Sequence, residues 1–210
     1  MTRVDKTIGP WRVRREQEIF DNPWLTLIDH DVTHPDGSPG NYGVVRFKNI
    51  AIGILPIDAD GMVPLVGQHR FPLDRFSWEL PEGGGRRDTP PIESAKRELA
   101  EETGLRAKSW APLCEFAISN SVTDERAVCF FAWEMEQGEA APEPSEALTI
   151  KKISFANLLE MVMSGEITDS LTIVMTLTAV AKALRGDAPV PISDHIVKAA
   201  TCRMGPKVGQ

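Results

Sequence analysis

The chain has 210 residues, of which 42% are hydrophobic and 25% are charged, a composition typical of globular proteins that excludes a disordered or fibrous chain. Its length fits one domain, or one domain with an additional arm. The 23 lysines and arginines are outnumbered by 30 aspartates and glutamates, giving a net charge of −7. This balance argues against a sequence-independent nucleic-acid-binding protein, because such proteins neutralise phosphates with basic side chains.

The cysteines and the apolar runs bear on the cellular compartment. Cys114, Cys129 and Cys202 are widely spaced and form no C-x-x-C motif, which favours reduced thiols over a zinc site or a disulfide framework. The opening sequence MTRVDKTIGPW contains no apolar run typical of a signal peptide. The most apolar later stretch, 171–184, is too short to cross a bilayer. We therefore expect a cytoplasmic protein with no membrane partner.

The first third of the chain is predicted to be rich in β-strands. Turn-forming residues at 34–40 separate an N-terminal pair of strands from the following ones, and the Asp60-Gly61 step is typical of a β-hairpin. The runs of strand-forming residues predict strands over 12–20, 24–33, 42–47, 51–56 and 62–69.

The next element is predicted to be a helix over 90–102, with Thr89 as its N-cap and Gly104 at its C-terminal cap. The rest of the chain predicts strands over 110–118, 126–136 and 148–154, helices over 155–164 and 169–184, and a C-terminal tail over 186–210. This order of elements predicts the α+β class, with a mixed β-sheet between helices and a small N-terminal antiparallel β arm.

The predicted helix carries three acidic residues on one face. Glu98, Glu101 and Glu102 are spaced i, i+3 and i+4, and like charges at this spacing destabilise a helix by roughly 0.2–0.5 kcal/mol per pair. A bound cation would turn the repulsion into ligation, and oxygen ligands favour Mg²⁺, with Mn²⁺ as a second candidate. The alternative is a solvated acidic face. Arg97 is spaced i, i+4 from Glu101, which predicts an ion pair between them.

The segment 83–105 resembles the Nudix box, G-x5-E-x7-R-E-U-x-E-E-x-G-U, in which U is a bulky aliphatic residue. The matching residues are Gly83, Arg97, Glu98, Leu99, Glu101, Glu102, Gly104 and Leu105, whereas Thr89 replaces the first glutamate of the box. The resemblance implies a Nudix-type α/β/α sandwich with a mixed β-sheet. It also implies Glu98, Glu101 and Glu102 as ligands of a catalytic metal and Arg97 as a structural residue.

The resemblance extends to the residues before the box. The sequence Gln68-His-Arg70, followed by Trp78-Glu-Leu-Pro-Glu-Gly83, is similar to a signature of ADP-ribose pyrophosphatases and of the nucleotide-sugar pyrophosphatases near them. It implies that Arg70 contacts the diphosphate and that Glu79 contacts the substrate or a metal-bound water; a plain surface charge is the alternative for Arg70. Glu82 takes the place of a small residue whose backbone carbonyl, by the resemblance, helps to hold metal. Its carboxylate would either crowd the site or add to it, and in the second case Glu82 is a fourth candidate metal ligand.

Two further regions are similar to the same group of enzymes. The segment 120–126 resembles a loop that supplies a catalytic glutamate, which implies Glu125 as the general base; a turn acid that caps the loop is the alternative. The N-terminal arm resembles a β domain that forms homodimers and lines the pocket for the nucleobase. Trp11 and Phe20 are therefore candidate substrate-stacking residues, with packing in the core or the dimer as the alternative role.

The resemblance implies three regions: a β arm over 1–45, a Nudix hydrolase domain over 46–185 and a tail over 186–210. It implies metal-dependent hydrolysis of a nucleoside diphosphate sugar, with ADP-ribose cleaved to AMP and ribose 5-phosphate as the first candidate reaction. GDP-mannose or another nucleotide sugar is the alternative substrate. A catalytically weak nucleotide-sensing module is a second alternative, suggested by Thr89. An RNA-processing hydrolase would need a basic channel that the net charge does not favour.

Overall fold

The computed structural model describes residues 2–138 and 148–202. The described chain falls into two compact units. The N-terminal unit combines Met1–Ile50 with the mid-chain segment Phe116–Arg126, and the second unit is built from Ala51–Glu115 and Ala127–Gln210. Of the expected C-terminal tail, residues 203–210 lie outside the described residues.

The N-terminal unit is built on a four-stranded antiparallel sheet in the order β1-β2-β3-β4. Asn22 turns the chain between β2 and β3, since its side-chain oxygen accepts the N–H groups of Trp24 at 2.9 Å and Leu25 at 2.8 Å. This confirms the antiparallel arm, to which β1 adds a strand that its polar, charged sequence did not predict. The strands are β1 (Thr2–Ile8), β2 (Trp11–Asp21), β3 (Leu25–Thr33) and β4 (Pro39–Phe47).

The mid-chain segment of the N-terminal unit is held to β4 by three kinds of contact. The hydroxyl of Tyr42 donates to the carbonyl of Ser121 at 2.5 Å, and the carboxylate of Asp124 accepts the N–H of Phe47 at 2.8 Å. Val45 forms an isolated parallel bridge with Thr123. The loop that contains Glu125 is therefore part of the same unit as the N-terminal strands.

The remaining strands form two further sheets, and the helices of the second unit pack on strands of these sheets. One sheet has the order β8-β5-β10-β9, in which β5 and β10 are parallel; the other has the antiparallel order β11-β6-β7. This mixture confirms the α+β class. In chain order the elements are β5 (Asn49–Pro56), β6 (Met62–Arg70), a 3₁₀ turn (Phe71–Leu73), β7 (Arg75–Glu79), β8 (Glu82–Arg86), α1 (Pro91–Thr103), β9 (Leu105–Ala117), β10 (Arg126–Gln137), β11 (Thr149–Ser154), α2 (Phe155–Met163), α3 (Ser170–Arg185) and α4 (Val190–Cys202).

The helices of the second unit cover its sheets in a way that places α1 next to β8. Helix α1 packs on β8 and β6, whereas α2 packs on β6 and β11, and α2, α3 and α4 contact one another. The core between these layers contains fully buried Leu55, Leu99, Phe131 and Leu158. Among the described residues, no helix is both long and apolar enough to cross a membrane.

The predicted hairpin between β5 and β6 is wrong, because the two strands lie in different sheets. The connection instead folds around Asp58, whose carboxylate accepts the N–H groups of Asp60 and Met62 at 2.9 Å each and forms an ion pair with Lys152. Gly61 has a φ of 73°, a left-handed conformation that favours glycine. The Asp-Gly step thus marks a turn that redirects the chain between sheets.

Two helix predictions also need correction. Helix α1 begins at Pro91 and has Pro90 rather than Thr89 as its N-cap, and the Thr89 hydroxyl donates to Asp88. The predicted C-terminal cap at Gly104 is confirmed by its φ of 72°. The segment expected as a tail contains α4, which buries Ile192 and Ile196. Its prolines lie at the start of the helix, where proline is tolerated, rather than in its interior.

Candidate active site

Arg97 is the structural centre of the acidic helix α1. Its guanidinium donates to the carboxylates of Glu101 and Glu98, at 2.6 Å each, and to the carbonyl of Gly84 at 2.9 Å. The predicted ion pair between Arg97 and Glu101 is confirmed. One side chain therefore fixes two carboxylates of the helix and the glycine-rich strand β8 with respect to one another.

The carboxylates of α1 do not form a solvated face. Glu98 is 8% exposed and Glu102 is 4% exposed, whereas Glu101 is partly exposed. Glu102 accepts the backbone N–H of Glu82 at 3.1 Å, which ties the helix to the start of β8. Burying two carboxylates on one helix is costly unless opposite charge or hydrogen bonds compensate, and here Arg97 and the N–H of Glu82 supply part of that compensation.

Gly83 is required by the position of Glu98. A Cβ atom at residue 83 would lie 2.3 Å from Cδ of Glu98, so any larger residue would force this carboxylate to leave its position beside β8. The first glycine of the box and its first helical glutamate are therefore in direct contact. This packing gives the glycine a physical role that its spacing alone did not show.

A Gly83→Ala variant is expected to lose both stability and turnover. Overpacking of this kind typically costs about 1–3 kcal/mol, and here it would displace Glu98 from its position against β8. Calorimetry would report the lower unfolding midpoint, and steady-state kinetics the lower rate. Gly43→Ala is the matched control, because a Cβ there meets no atom within 4 Å; equal behaviour of the two variants would contradict the assignment.

A second group of carboxylates lies around Arg70. Ligand oxygens of Glu79, Glu82 and Asp169 come within 4.8 Å of one another. Arg70 donates to both oxygens of Glu79 and, at 2.8 Å, to Glu82. Burial opposes the charge of Arg70, but these carboxylates outweigh it and raise its pKa. The guanidinium that was expected to meet a diphosphate is thus paired with Glu79 and Glu82 in this structure.

Asp169 is the member of this group that the sequence did not reveal. It lies at the N-cap of α3, where its carboxylate accepts the N–H of Thr172 at 2.7 Å. An aspartate before an apolar helical run is a recognisable N-cap signal. Its proximity to Glu79 and Glu82 depends on the packing of α3, so nothing in the local sequence indicates it.

Glu82 shows that this cluster fits a cation. Its Oε2 is buried and has no hydrogen-bond partner in the described part of the chain. Burial, together with the negative charges of Asp169 and Glu79, raises the pKa of this carboxyl well above its ordinary value, although Arg70 opposes the shift. An unsatisfied carboxylate oxygen among other carboxylates has the chemistry of a site for a hard divalent ion.

Glu125 belongs to the N-terminal unit and not to either carboxylate group. Its backbone N–H bonds to the hydroxyl of Thr123 at 3.3 Å, and its carbonyl accepts the N–H of Ile118 at 3.0 Å. Partial burial and the neighbouring charge of Asp124 raise the pKa of its carboxyl. A carboxyl with a raised pKa is suited to proton transfer near neutral pH.

Trp11 lines a cavity of about 260 Å³ within the N-terminal unit. Its ring lies edge-on to Tyr42 with centroids 5.4 Å apart, and 4.9 Å from the ring of His34. Arg46 and the loop 120–123 also line the cavity. Phe20 is not among the described residues around it and is 53% exposed on β2. The structure thus places the two candidate stacking residues in different surroundings.

Comparison with known proteins agrees with this architecture. The nucleoside diphosphate sugar hydrolase N-terminal domain matches residues 11–45, and the NUDIX domain matches residues 47–168. An ADP-ribose pyrophosphatase of Bacillus subtilis (strain 168) is 30% identical over 75% of this chain and 85% of its own. An ADP-ribose pyrophosphatase of Mycobacterium tuberculosis (strain ATCC 25618 / H37Rv) is 30% identical over 72% of this chain and 74% of its own.

A solved structure shares the fold. The crystal structure of an ADP compounds hydrolase superposes with a TM-score of 0.76 at 17% identity, covering 88% of this chain and 100% of that chain. The match of the NUDIX domain spans more than half of the residues, and it contains α1, β8 and the carboxylates described above except Asp169, which follows its last residue. The chain is therefore a member of the Nudix family of pyrophosphohydrolases.

Proposed function

We propose that this protein hydrolyses the diphosphate bond of a nucleoside diphosphate sugar, with ADP-ribose as the first candidate substrate and AMP and ribose 5-phosphate as products. The proposal rests on one observation above all: a Nudix helix whose Glu98 and Glu102 are buried beside β8. The relatives named as ADP-ribose pyrophosphatases support the choice of substrate.

Mg²⁺, or Mn²⁺ in its place, is the proposed cofactor, and Glu82, Glu98, Glu101 and Glu102 are its proposed ligands. A divalent ion at such a site neutralises phosphate oxygens and lowers the pKa of an attacking water. Arg97 holds Glu98 and Glu101 in place, and Gly83 leaves room for Glu98. Glu79 is proposed to orient substrate or water, and Arg70, now paired with Glu79 and Glu82, to contact the diphosphate once substrate enters.

Asp169 lies close to Glu82, one of the proposed ligands, and we propose that it adds negative charge there. The variant Asp169→Asn tests this role. Asparagine caps helices as well as aspartate, so α3 should still begin at Ser170 while the charge beside Glu79 and Glu82 is lost. We expect Mn²⁺ affinity, measured by calorimetric titration, to fall by roughly 10–100-fold. Asp36→Asn, at an exposed turn where Asp36 accepts the N–H of Ser38, is the control. Unchanged affinity would show that Asp169 acts only as the N-cap of α3.

Glu125 is proposed as the general base and Trp11 and Phe20 as residues that stack on the substrate. A glutamate with a raised pKa can accept a proton from an attacking water within hydrogen-bond reach. The cavity beside Trp11 is lined by aromatic and apolar side chains and by Arg46, a chemistry that suits a nucleobase joined to phosphate.

We propose that the protein forms a homodimer through its N-terminal arm, because β1, β2 and the turn after β2 expose large apolar side chains. Trp24 is 65% exposed and Phe20 is 53% exposed, together with Ile8 and Ile19, and such exposure in a soluble enzyme favours a protein contact. Sedimentation velocity of the full chain should give the mass of a dimer. Trp24→Glu should shift it to the monomer, and a monomeric wild-type chain would refute the proposal.

The substrate is tested by product analysis with Mg²⁺. ADP-ribose, GDP-mannose, UDP-glucose, a dinucleotide and a nucleoside triphosphate would be supplied in parallel, with Glu102→Gln as the control. Turnover of ADP-ribose to AMP and ribose 5-phosphate supports the proposal. Selective turnover of GDP-mannose would instead identify GDP-mannose as the substrate. No turnover of any compound, with thermal stabilisation by ADP-ribose, would support a nucleotide-sensing module instead.

A further inference from the structure

Two thiols lie side by side on the sheet that contains β5. Cys114 belongs to β9 and Cys129 to β10, which are neighbouring strands. The N–H of Ile118 donates to the carbonyl of Glu125 at 3.0 Å, and Cys114 and Cys129 each lie four residues further along their strands, so the pairing places them opposite one another. Cys129 is buried, and Cys114 is only partly buried. Cys129 also pairs in register with Gly53, and its sulfur would lie 3.1 Å from a Cβ at that residue. The sheet therefore holds the buried thiol in one position.

Helix α3 places polar groups over the more accessible thiol. The hydroxyl of Thr178 and the charge of Lys182, one turn apart on the same face of α3, both act to lower the pKa of Cys114. The Lys182 ammonium is fixed by a 3.4 Å hydrogen bond to the carbonyl of Pro112, two residues before Cys114. A cation and a hydroxyl beside a partly exposed sulfur are the surroundings that favour a thiolate.

The two thiols are chemically unequal. The hydrogen bond from Cys129 lowers the pKa of Cys114, with help from Thr178 and Lys182 and against the effect of burial. The same contact and burial raise the pKa of Cys129. Ionisation is therefore favoured at Cys114, the more exposed of the two thiols, and disfavoured at the buried Cys129.

We propose that Cys114 and Cys129 form an oxidisable dithiol that reacts with a small hydroperoxide and closes to an intramolecular disulfide. The Cys114 sulfur attacks one oxygen of the peroxide, the O–O bond breaks, and the leaving oxygen departs as water, so that Cys114 becomes a sulfenic acid. The Cys129 sulfur then attacks the Cys114 sulfur, the S–O bond breaks, and a second water carries away the Cys129 proton. Two thiols are oxidised, and one hydrogen peroxide is reduced to two waters.

The contact between the thiols determines which product forms. A sulfenic acid without a neighbouring thiol is oxidised further to a sulfinic acid, whereas a thiol in contact captures it as a disulfide. The bond would link β9 to β10 and close the chain segment between them, which includes the loop of Glu125. Closing such a loop restricts the unfolded chain, so the oxidised protein should unfold at a higher temperature.

The test uses the full-length Cys202→Ser chain, because Cys202 is exposed and could form intermolecular disulfides. Hydrogen peroxide would be added with a metal chelator present, and the products followed by intact mass and by counting thiols after denaturation. We expect the mass of the monomer to fall by two hydrogens, both thiols to disappear, and dithiothreitol to restore them. The unfolding midpoint should rise on oxidation and return on reduction.

A single-cysteine variant separates this reaction from random oxidation. In Cys129→Ser, Cys114 should gain oxygen atoms instead of forming a disulfide, and in Cys114→Ser, Cys129 should stay a free thiol at the same peroxide dose. If both thiols of the Cys202→Ser chain survive, or if Cys114 gains oxygen while Cys129 stays free, the proposal is refuted. These measurements use no nucleotide, so their outcome is independent of the proposed hydrolysis.

Discussion

Replacing Glu102 with glutamine is expected to reduce Mg²⁺-dependent turnover by roughly 10²–10³-fold, the usual effect of removing one group that stabilises charge in a transition state. Glu102 is 4% exposed and accepts the backbone N–H of Glu82 at 3.1 Å. Glutamine keeps an oxygen for that hydrogen bond but loses the charge that would hold a cation. Steady-state kinetics would measure the loss, and thermal unfolding would show that the fold is retained.

Glu18→Gln is the matched control for this variant, because Glu18 is an exposed residue of β2 in the other unit. It removes the same charge from the protein and should leave both turnover and Mn²⁺ affinity at the wild-type level. A Glu102→Gln enzyme that keeps its rate within a few-fold would remove Glu102 from the proposed ligands. Rescue of its rate by a large excess of metal would instead locate the defect in cation affinity and support the assignment.

Replacing Glu125 with glutamine is expected to lower kcat by roughly 10²–10⁴-fold, the range for loss of a general base, with a much smaller change in KM. Burial and Asp124 raise the pKa of Glu125. Because the base acts only when ionised, turnover of the wild-type enzyme should rise with pH through this raised pKa. The acidic limb of the kcat profile should therefore lie above the usual range of glutamate, about pH 4.3, and should be absent from the residual activity of Glu125→Gln.

Asp124→Asn tests the cause of that limb without removing the base. Asparagine can still accept the N–H of Phe47, which now bonds to the Asp124 carboxylate at 2.8 Å. The variant loses the negative charge that disfavours ionisation of Glu125, so the acidic limb should move to lower pH while the maximal rate is kept. A limb that does not move, together with a near-wild-type rate for Glu125→Gln, would assign the base to another residue.

The contacts of the site that lie within one helix were predictable from the sequence, whereas the contacts between different helices and strands were not. The i, i+4 spacing that predicts the Arg97–Glu101 ion pair is a property of one helix, as is the cap at Gly104. Asp169 joins Glu79 and Glu82 only because α3 packs in one particular way. Arg70, at the end of β6, binds Glu79 at the end of β7, a strand that the sequence did not predict and that is only five residues long.

The fold shows the same division between short-range and long-range effects. Runs of strand-forming residues predicted the strands β2 to β6 with small shifts of their ends, but a pattern along one strand carries no information on its partner. Thus the Asp60-Gly61 step predicted a turn and wrongly suggested pairing of β5 with β6. The glycines of β8 hide a strand from propensity arguments, although Gly83 is needed there to accommodate Glu98.

The N-terminal unit is discontinuous in sequence, and this limits how the protein can be recombined. Tyr42 with Ser121, and Phe47 with Asp124, join residues that are more than seventy positions apart. A chimera that takes residues 1–50 from one relative and 116–126 from another would break these pairs. Exchange between relatives should therefore succeed only when both segments move together, so that the N-terminal strands and the Glu125 loop are inherited as one block.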